Sequence, residues 1–386
     1  MKIMLVNFLK VVNSTGGGEK VLCRMANEMT RRGHTVSVVC YDENGMPFFP
    51  LDKEVLFVNL REKEYRPPVF VSAKREILRL MGRLNRDNNP CENWMNKKRA
   101  EVLKTYLKQD PPDIIISYDA RSMVILNTIL NVEIPVIGMI HTSLTLIEKT
   151  IGKKEIQAYN KAALIQVLMQ NDLLIAEKLF DAPIIQIGNE IIQREDQADL
   201  ARDKEIYKIC FIGRLDRISK RPHLLVQAFG KLKKKFPNWQ LEIWGGNENY
   251  CEAELEKLIK ECGEKEIRLC GVTEDVFSVL KDSDIFVIPS LFEGFGLALG
   301  EAMSMGVPGI GYKNCPAVNE LIQDGKTGFL CVDGVDGLAE KMAVLMSDQE
   351  LRIKMGKAAK AAVQEYAPEK IWKKWENIVE KTGEKN

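Results

Sequence analysis

The sequence predicts an α/β protein of two doubly wound domains, on three observations. The first residues run strand, glycine turn, amphipathic helix, strand, a βαβ unit that implies a parallel sheet. A second series of strands and helices starts at Tyr207. The length of 386 residues accommodates two or three domains of roughly 100–200 residues each. With 45% hydrophobic and 28% charged residues, the composition is that of a soluble globular chain. A formal net charge of +1 gives no global attraction to nucleic acid or to an anionic membrane. The nine cysteines carry no C-x-x-C pair and read as reduced thiols in a cytoplasmic protein. No stretch approaches the ~20 apolar residues of a membrane span, and the N-terminal run lacks the pattern of a signal peptide. Only three histidines, His34, His141 and His223, are present and far apart, which argues against a histidine-rich metal site.

Lys2 to Phe8 forms the first buried strand, and Ser14-Thr15-Gly16-Gly17-Gly18-Glu19 the turn after it. Val21, Leu22, Met25, Ala26 and Met29 then share one helix face, and Gly33 ends the helix after Arg31-Arg32. His34 to Cys40 is the second strand. A dinucleotide fingerprint would need glycine at position 21, where Val21 stands, and the end of the second strand offers no clear acid beyond Asp42. NAD is therefore not expected. Residues 43 to 110 are less regular. Between Ser72 and Lys108 ten Lys or Arg face four acids, beside Ile77, Leu78, Leu80, Met81, Leu84 and Trp94. Such a basic amphipathic stretch has two readings, a contact with anionic lipid or an ordinary solvated face. Ile114 to Tyr118 and Pro135 to Ile140 are further buried strands. His141 sits at the carboxyl end of the latter, where ligands of open α/β sheets bind. Leu164 to Leu168 and Leu173 to Ile175 give the strand and helix that close the first domain.

Gln193 to Lys204 is polar, an interdomain linker or a surface loop. Tyr207 to Ile212 is a strand that runs into Gly213-Arg214-Leu215-Asp216-Arg217-Ile218-Ser219-Lys220-Arg221-Pro222 and a helix from Leu224. Strands follow at Leu241 and Ile267, with helices at Cys251–Cys262 and Thr273–Lys281. Asp282-Ser283-Asp284 has the spacing of a D-x-D metal motif, but it lies between a helix and the buried strand Ile285 to Ile288, and no metal is expected there. The next stretch, PSLFEGFGLALGE from Pro289 to Glu301, places Glu293 and Glu301 around Gly-Phe-Gly. With a helix starting near Gly296, its free N–H groups form a seat for phosphate, and the two carboxylates accept hydroxyls on either side. A nucleotide-sugar has that layout of ribose, pyrophosphate and sugar. Gly309 to Tyr312 is a strand, Gly325 and Gly328 are turn residues, helices span 335–347 and 350–365, and a last helix, Glu369 to Lys381, follows Pro368.

EGFGLALGE resembles the E-x7-E motif of retaining glycosyltransferases with the two-domain GT-B fold, in particular glycosyltransferase family 4. GRL followed by a lysine before a helix is a second signature of that family. The resemblance covers nearly the whole chain and is strongest from 207 to 332; in the first domain it rests mainly on the glycine turn and His141. It implies a GT-B fold of two facing Rossmann-like domains, 1–188 and 189–366, with a terminal helix, 367–386, crossing back to the first. It further implies sugar transfer from a nucleotide-sugar to an acceptor hydroxyl with retention of configuration, with no metal and no other cofactor. In this scheme Glu293 orients the donor sugar, Glu301 holds the ribose, and Arg214, Lys220 and the N–H groups of Phe295, Gly296 and Leu297 hold the diphosphate. Gly16, Gly17 and Gly213 line the donor, Val272 lies by the nucleobase, and His141 positions the reacting sugar or the acceptor. A UDP-sugar is the default donor, GDP-mannose the next. The acceptor is a glycan or a lipid-linked molecule, which fits a cytoplasmic protein resting through 72–108 on the inner face of a membrane; no nucleic acid is expected. Two alternatives stay open: a non-catalytic glycan-binding partner subunit, and another GT-B enzyme such as a sugar-nucleotide epimerase.

Overall fold

The computed structural model describes residues 1–246, 251–262 and 265–384. The chain divides into two units, Met1–Gly188 with Ile371–Asn386, and Asn189–Lys370. The final helix, Pro368–Gly383, thus starts in the second unit and continues in the first. The last two residues of the expected terminal segment lie outside the described residues.

The first unit is built on seven strands: β1 (Lys2–Asn7), β2 (Thr35–Cys40), β3 (Leu56–Asn59), β4 (Ile114–Ser117), β5 (Val136–Ile140), β6 (Leu164–Val167) and β7 (Ile184–Gln186). They lie in the order β3-β2-β1-β4-β5-β6-β7 with every ladder parallel. Parallel strands covered on both faces must be apolar on both sides, which is why β1, β4 and β5 read as unbroken hydrophobic runs. The helix Gly17–Arg31 turns the face Val21, Leu22, Met25, Ala26 and Met29 inward, and Gly33, at φ 89°, ends it in the left-handed region.

The second unit repeats the plan with six strands: β8 (Tyr207–Ile212), β9 (Trp239–Trp244), β10 (Ile267–Gly271), β11 (Ile285–Ile288), β12 (Gly309–Tyr312) and β13 (Gly328–Cys331). Their order is β10-β9-β8-β11-β12-β13, again all parallel. Both sheets therefore start in the middle, grow one way for three strands and then reverse. The reversal leaves a gap beyond the carboxyl ends, between β1 and β4 in one unit and between β8 and β11 in the other. Open α/β sheets take their ligands at such points.

Three expectations change. Residues 43–110 are more regular than their sequence suggests, with β3 and the helices Val69–Leu80 and Pro90–Gln109. The helix Pro90–Gln109 scatters its apolar residues round its axis, and Val69–Leu80 turns most of its apolar residues outward, so neither reads as an ordinary core-facing helix. The helix expected from Thr273 starts at Val276, because Asp275 is its cap and accepts a hydrogen bond from Ser278 N at 3.1 Å. Gly328 opens β13 rather than a turn; a Cβ there would lie 2.2 Å from the Gly309 carbonyl oxygen of the neighbouring strand. Residues 193–204 carry no helix or strand but are anchored to the second unit: Ala198 N donates to Met305 O at 2.9 Å, and Gln349 donates to Leu200 O at 3.0 Å.

Candidate functional site

In the second unit the loop after β8 is shaped by one carboxylate. Asp216 accepts hydrogen bonds from the backbone N–H groups of Ile218 (3.0 Å), Ser219 (2.6 Å) and Lys220 (3.3 Å), which curls the chain back on itself. Arg221 then adopts φ 50° and ψ 45°, a left-handed step that aims the chain into the helix Pro222–Leu232. Proline at the first helical position suits that start. Lys220 and Arg221 are adjacent cations, of which the spacing favours Lys220 as the inward one. The loop separates them. Lys220 Nζ lies 2.6 Å from both carboxylate oxygens of Glu293. Arg221 instead donates to Pro289 O at 3.1 Å, pairs with Asp333 at 3.1 Å, and stacks its guanidinium 4.9 Å over the Tyr312 ring. Arg221 is thus a brace beneath the loop after β11.

That second loop begins at Pro289. Ser290, fully buried, donates its hydroxyl to Glu293 Oε1 at 2.7 Å. Leu291 N donates to Ser219 O at 2.8 Å, so the loops after β8 and β11 are joined through their backbones. Glu293 is buried, and its charge is tolerated because a cation and a hydroxyl meet it. Gly296, at φ 84°, makes the left-handed turn that starts the helix Leu297–Ser304; a side chain would be strained there. Phe295 is buried edge-on against Tyr366, ring centroids 5.2 Å apart, so only its backbone is available to a ligand. Glu301 is buried one turn into the helix.

Gly213 and Arg214 leave the end of β8, with Arg214 exposed to solvent. Gly213 N donates to Trp244 O at 3.0 Å, and Leu215 N to Gly246 O at 2.9 Å. The close approach has a local requirement: a Cβ on Gly245 would fall 1.8 Å from the Gly213 carbonyl oxygen. Val272 follows Gly271 at the end of edge strand β10 and is 55% exposed. Of the second-unit candidates, Lys220 and Glu293 touch directly, while Gly213, Arg214, Phe295, Gly296, Leu297 and Glu301 share the same two loops and the helix that follows. Val272 stands two strands from the switch point. Ser290 escaped sequence reasoning; its one signal was a hydroxyl three residues before the glutamate.

The first-unit switch point is different in character. The loop after β1 is tied to the end of β4, since Phe8 N donates to Asp119 at 2.8 Å and Arg121 donates to Phe8 O at 2.8 Å. Asp42, the acid weighed for a dinucleotide ribose, accepts from Val11 N at 2.7 Å and Val12 N at 2.9 Å and so is spent on the same loop. Gly16 caps the helix Gly17–Arg31, with Lys20 N reaching Gly16 O at 3.1 Å. His141, just past β5, stacks on Tyr118 with centroids 4.8 Å apart and planes at 12°. Both of its ring nitrogens are buried with no hydrogen-bond partner. Burial pushes its pKa down to about 4, so the ring is neutral at physiological pH.

The D-x-D spacing serves the fold. Asp284 is buried and accepts from Lys208 N at 2.8 Å and Lys204 Nζ at 3.0 Å, and Asp282 pairs with Lys208 at 2.5 Å. Among the described residues one trio, His34, Glu376 and Glu380, has potential ligand atoms within 4.8 Å of one another. It lies before β2, away from the strand carboxyl ends, and Glu376 already pairs with Arg32 at 3.1 Å. No helix among the described residues is long and apolar enough to cross a membrane.

Two family models match this chain. Residues 192–362 match the model described as Glycosyl transferases group 1, and residues 15–176 the model described as Glycosyltransferase Family 4. An uncharacterized glycosyltransferase of Haemophilus influenzae is 25% identical over 381 residues, 96% of this chain and 98% of that one. The chain is a glycosyltransferase. The glycosyltransferase is also 22% identical, over 98% of both chains, to the Campylobacter jejuni enzyme named GalNAc-alpha-(1->4)-GalNAc-alpha-(1->3)-diNAcBac-PP-undecaprenol alpha-1,4-N-acetyl-D-galactosaminyltransferase. Its fold matches that of a mutant of S. aureus TarM, solved with fondaparinux, alpha-GlcNAc-glycerol and UDP, at a TM-score of 0.74 and 19% identity over 98% of this chain and 99% of that one. The fold is GT-B, and relatives of this glycosyltransferase work in polysaccharide and glycoconjugate synthesis.

Proposed function

We propose that the enzyme moves a sugar from a nucleotide-sugar, a UDP-sugar in the first instance, to a hydroxyl of a glycan or lipid-linked acceptor, with retention of configuration and without a metal. The observation that carries this reading is the Lys220–Glu293–Ser290 cluster at the reversal of the second sheet. A partly buried cation at a strand end suits a leaving diphosphate, whose charge grows in the transition state. Arg214 and the N–H groups at Phe295 to Leu297 add donors on the same side. Glu293, held by Ser290 and Lys220, offers a fixed acceptor to the donor sugar's hydroxyls. Glu301 takes the ribose diol. The leaving phosphate oxygen itself receives the acceptor's proton, so no separate base is required. His141, neutral and with both nitrogens unclaimed, can donate one hydrogen bond and accept another, which suits a sugar or acceptor hydroxyl rather than an anion. UDP in the TarM complex and a polyprenol-linked saccharide in the name of the Campylobacter relative support the choice of donor and acceptor classes.

A thermal-shift screen of nucleotide-sugars, followed by acceptor trials with the hit, tests the reading. Free nucleoside diphosphate is expected only when acceptor is present, and NMR of the product should show the donor's anomeric configuration. Diphosphate release without acceptor points to an epimerase-type reaction, and binding without turnover to a non-catalytic partner. Turnover abolished by excess chelator removes the metal-free part.

A further inference from the structure

The helix Val69–Leu80 has its apolar side outside. Val69 is 86% exposed, Phe70 74%, Ile77 56%, Leu80 79%, and Met81, at the helix end, 54%. At about 100° per residue these five, with exposed Ala73 between them, fall within about 120° of one helix face. Val71 is buried on the opposite side, so the helix is docked on its unit and the stripe is surplus to that packing. Cations border it. Lys74, Arg79 and Arg83 are exposed, and the only acid between residues 69 and 83, Glu76, is engaged by Arg75 at 3.0 Å and Arg79 at 2.7 Å. The other half of the basic stretch, the helix Pro90–Gln109, has no large apolar side chain among the exposed ones.

We propose that this one helix is a lipid-facing surface, lying flat on an anionic bilayer with Phe70, Ile77, Leu80 and Met81 in the acyl boundary. Lys74, Arg79 and Arg83 then meet the headgroup phosphates. An exposed apolar stripe wants an apolar partner, and the cations around it choose an anionic one. A second copy of the chain is a poorer fit, because two-fold pairing of this face would bring the same cations together. The proposal narrows the contact expected over 72–108 to residues 69–83. It rests on the lipid-linked acceptor reading only for its purpose, since binding to vesicles needs neither donor nor acceptor.

The test is co-sedimentation of the full chain with vesicles of phosphatidylcholine and phosphatidylglycerol at about three to one, against phosphatidylcholine alone. Binding to the anionic vesicles, weakened by salt, is expected. The double variant Phe70→Glu/Leu80→Glu should bind at least about tenfold more weakly. Lys104→Ala/Lys108→Ala, exposed on the other helix, should stay within about twofold of wild type. An unchanged thermal midpoint verifies that each variant folds. Phe70→Trp supplies a readout that leaves the face apolar: its fluorescence should shift to the blue on adding anionic vesicles. Absence of wild-type binding, an unshifted Trp signal, or loss of binding in the lysine pair but not the glutamate pair overturns the proposal. So does light scattering that shows a dimer dissolved by Phe70→Glu/Leu80→Glu. Vesicle binding with no transferase activity would leave this surface standing and remove the function proposed above.

Discussion

The two units share a strand order and differ in what they put at its turning point. In the second, between β8 and β11, the chain concentrates charge and pairs it: Lys220 against Glu293, Arg221 against Asp333, with Asp216 and Ser290 holding the loops. In the first, between β1 and β4, the charges are spent on fixing the loop. The group offered beyond the neighbouring strand is His141, a neutral ring with two idle nitrogens. One architecture thus carries two chemistries. Under the reading proposed above, the diphosphate meets a cation whose water has already been partly removed by Glu293, which keeps its own hold on Lys220. A neutral imidazole in a dry setting suits a hydroxyl.

The sharpest way to break this contrast is Lys220→Ala. Transfer should fall about a hundred- to a thousandfold, with the far-ultraviolet circular dichroism unchanged. A rate within a few fold of wild type, measured as diphosphate release, would remove the anion-seat assignment. The thermal midpoint should drop as well, because Glu293 loses its cation while staying buried.

On the other side of the contrast stands a pH effect. An unfolded histidine titrates near 6.5, whereas His141 in the fold titrates at about 4. As pH falls from roughly 6.5 toward 4, the unfolded chain gains a proton that the folded chain refuses, so stability is lost over that window, by about 3 kcal/mol at most. Denaturation midpoints followed against pH should show this slope in wild type and less of it in His141→Gln. Equal slopes would mean that His141 is solvated and the neutral-hydroxyl reading fails. Neutral His223 and His34 are also shifted down by burial and contribute to both profiles alike.

A backbone test comes next. Gly245→Ala puts a methyl against the Gly213 carbonyl and should cost about 2 kcal/mol or more, and weaken nucleotide binding through the displaced Arg214 turn. Calorimetry that finds both unchanged would mean the two turns move freely. The smallest expected change is Glu301→Ala, about tenfold in affinity for the free nucleoside diphosphate. An unaltered Kd would reassign the ribose contact.

Much of this was legible in the residues because it follows from short-range rules. Apolar runs such as Ile114-Ile115-Ile116 announce buried parallel strands, and Glu293, Gly296 and Glu301 announce the loop and helix by their spacing. What stayed hidden depended on partners far along the chain. Ser290 matters through a hydrogen bond to Glu293, and Arg221 is distinguished from Lys220 only by a left-handed step whose cause, Asp216, lies five residues back. The exposed stripe of Val69–Leu80 was hidden for another reason. Periodicity shows that one face is apolar but not whether that face turns in or out, and here the buried side holds Val71.

The hydrogen bond between Leu291 N and Ser219 O has a practical consequence for anyone altering this enzyme. It splices two segments that are 72 residues apart in sequence into one mechanical part. Grafting either loop alone from a relative with another donor would import a shape cut for a different counterpart. Swapped together, with Asp216 and Ser290 kept, the pair becomes an exchangeable cartridge on an unchanged sheet.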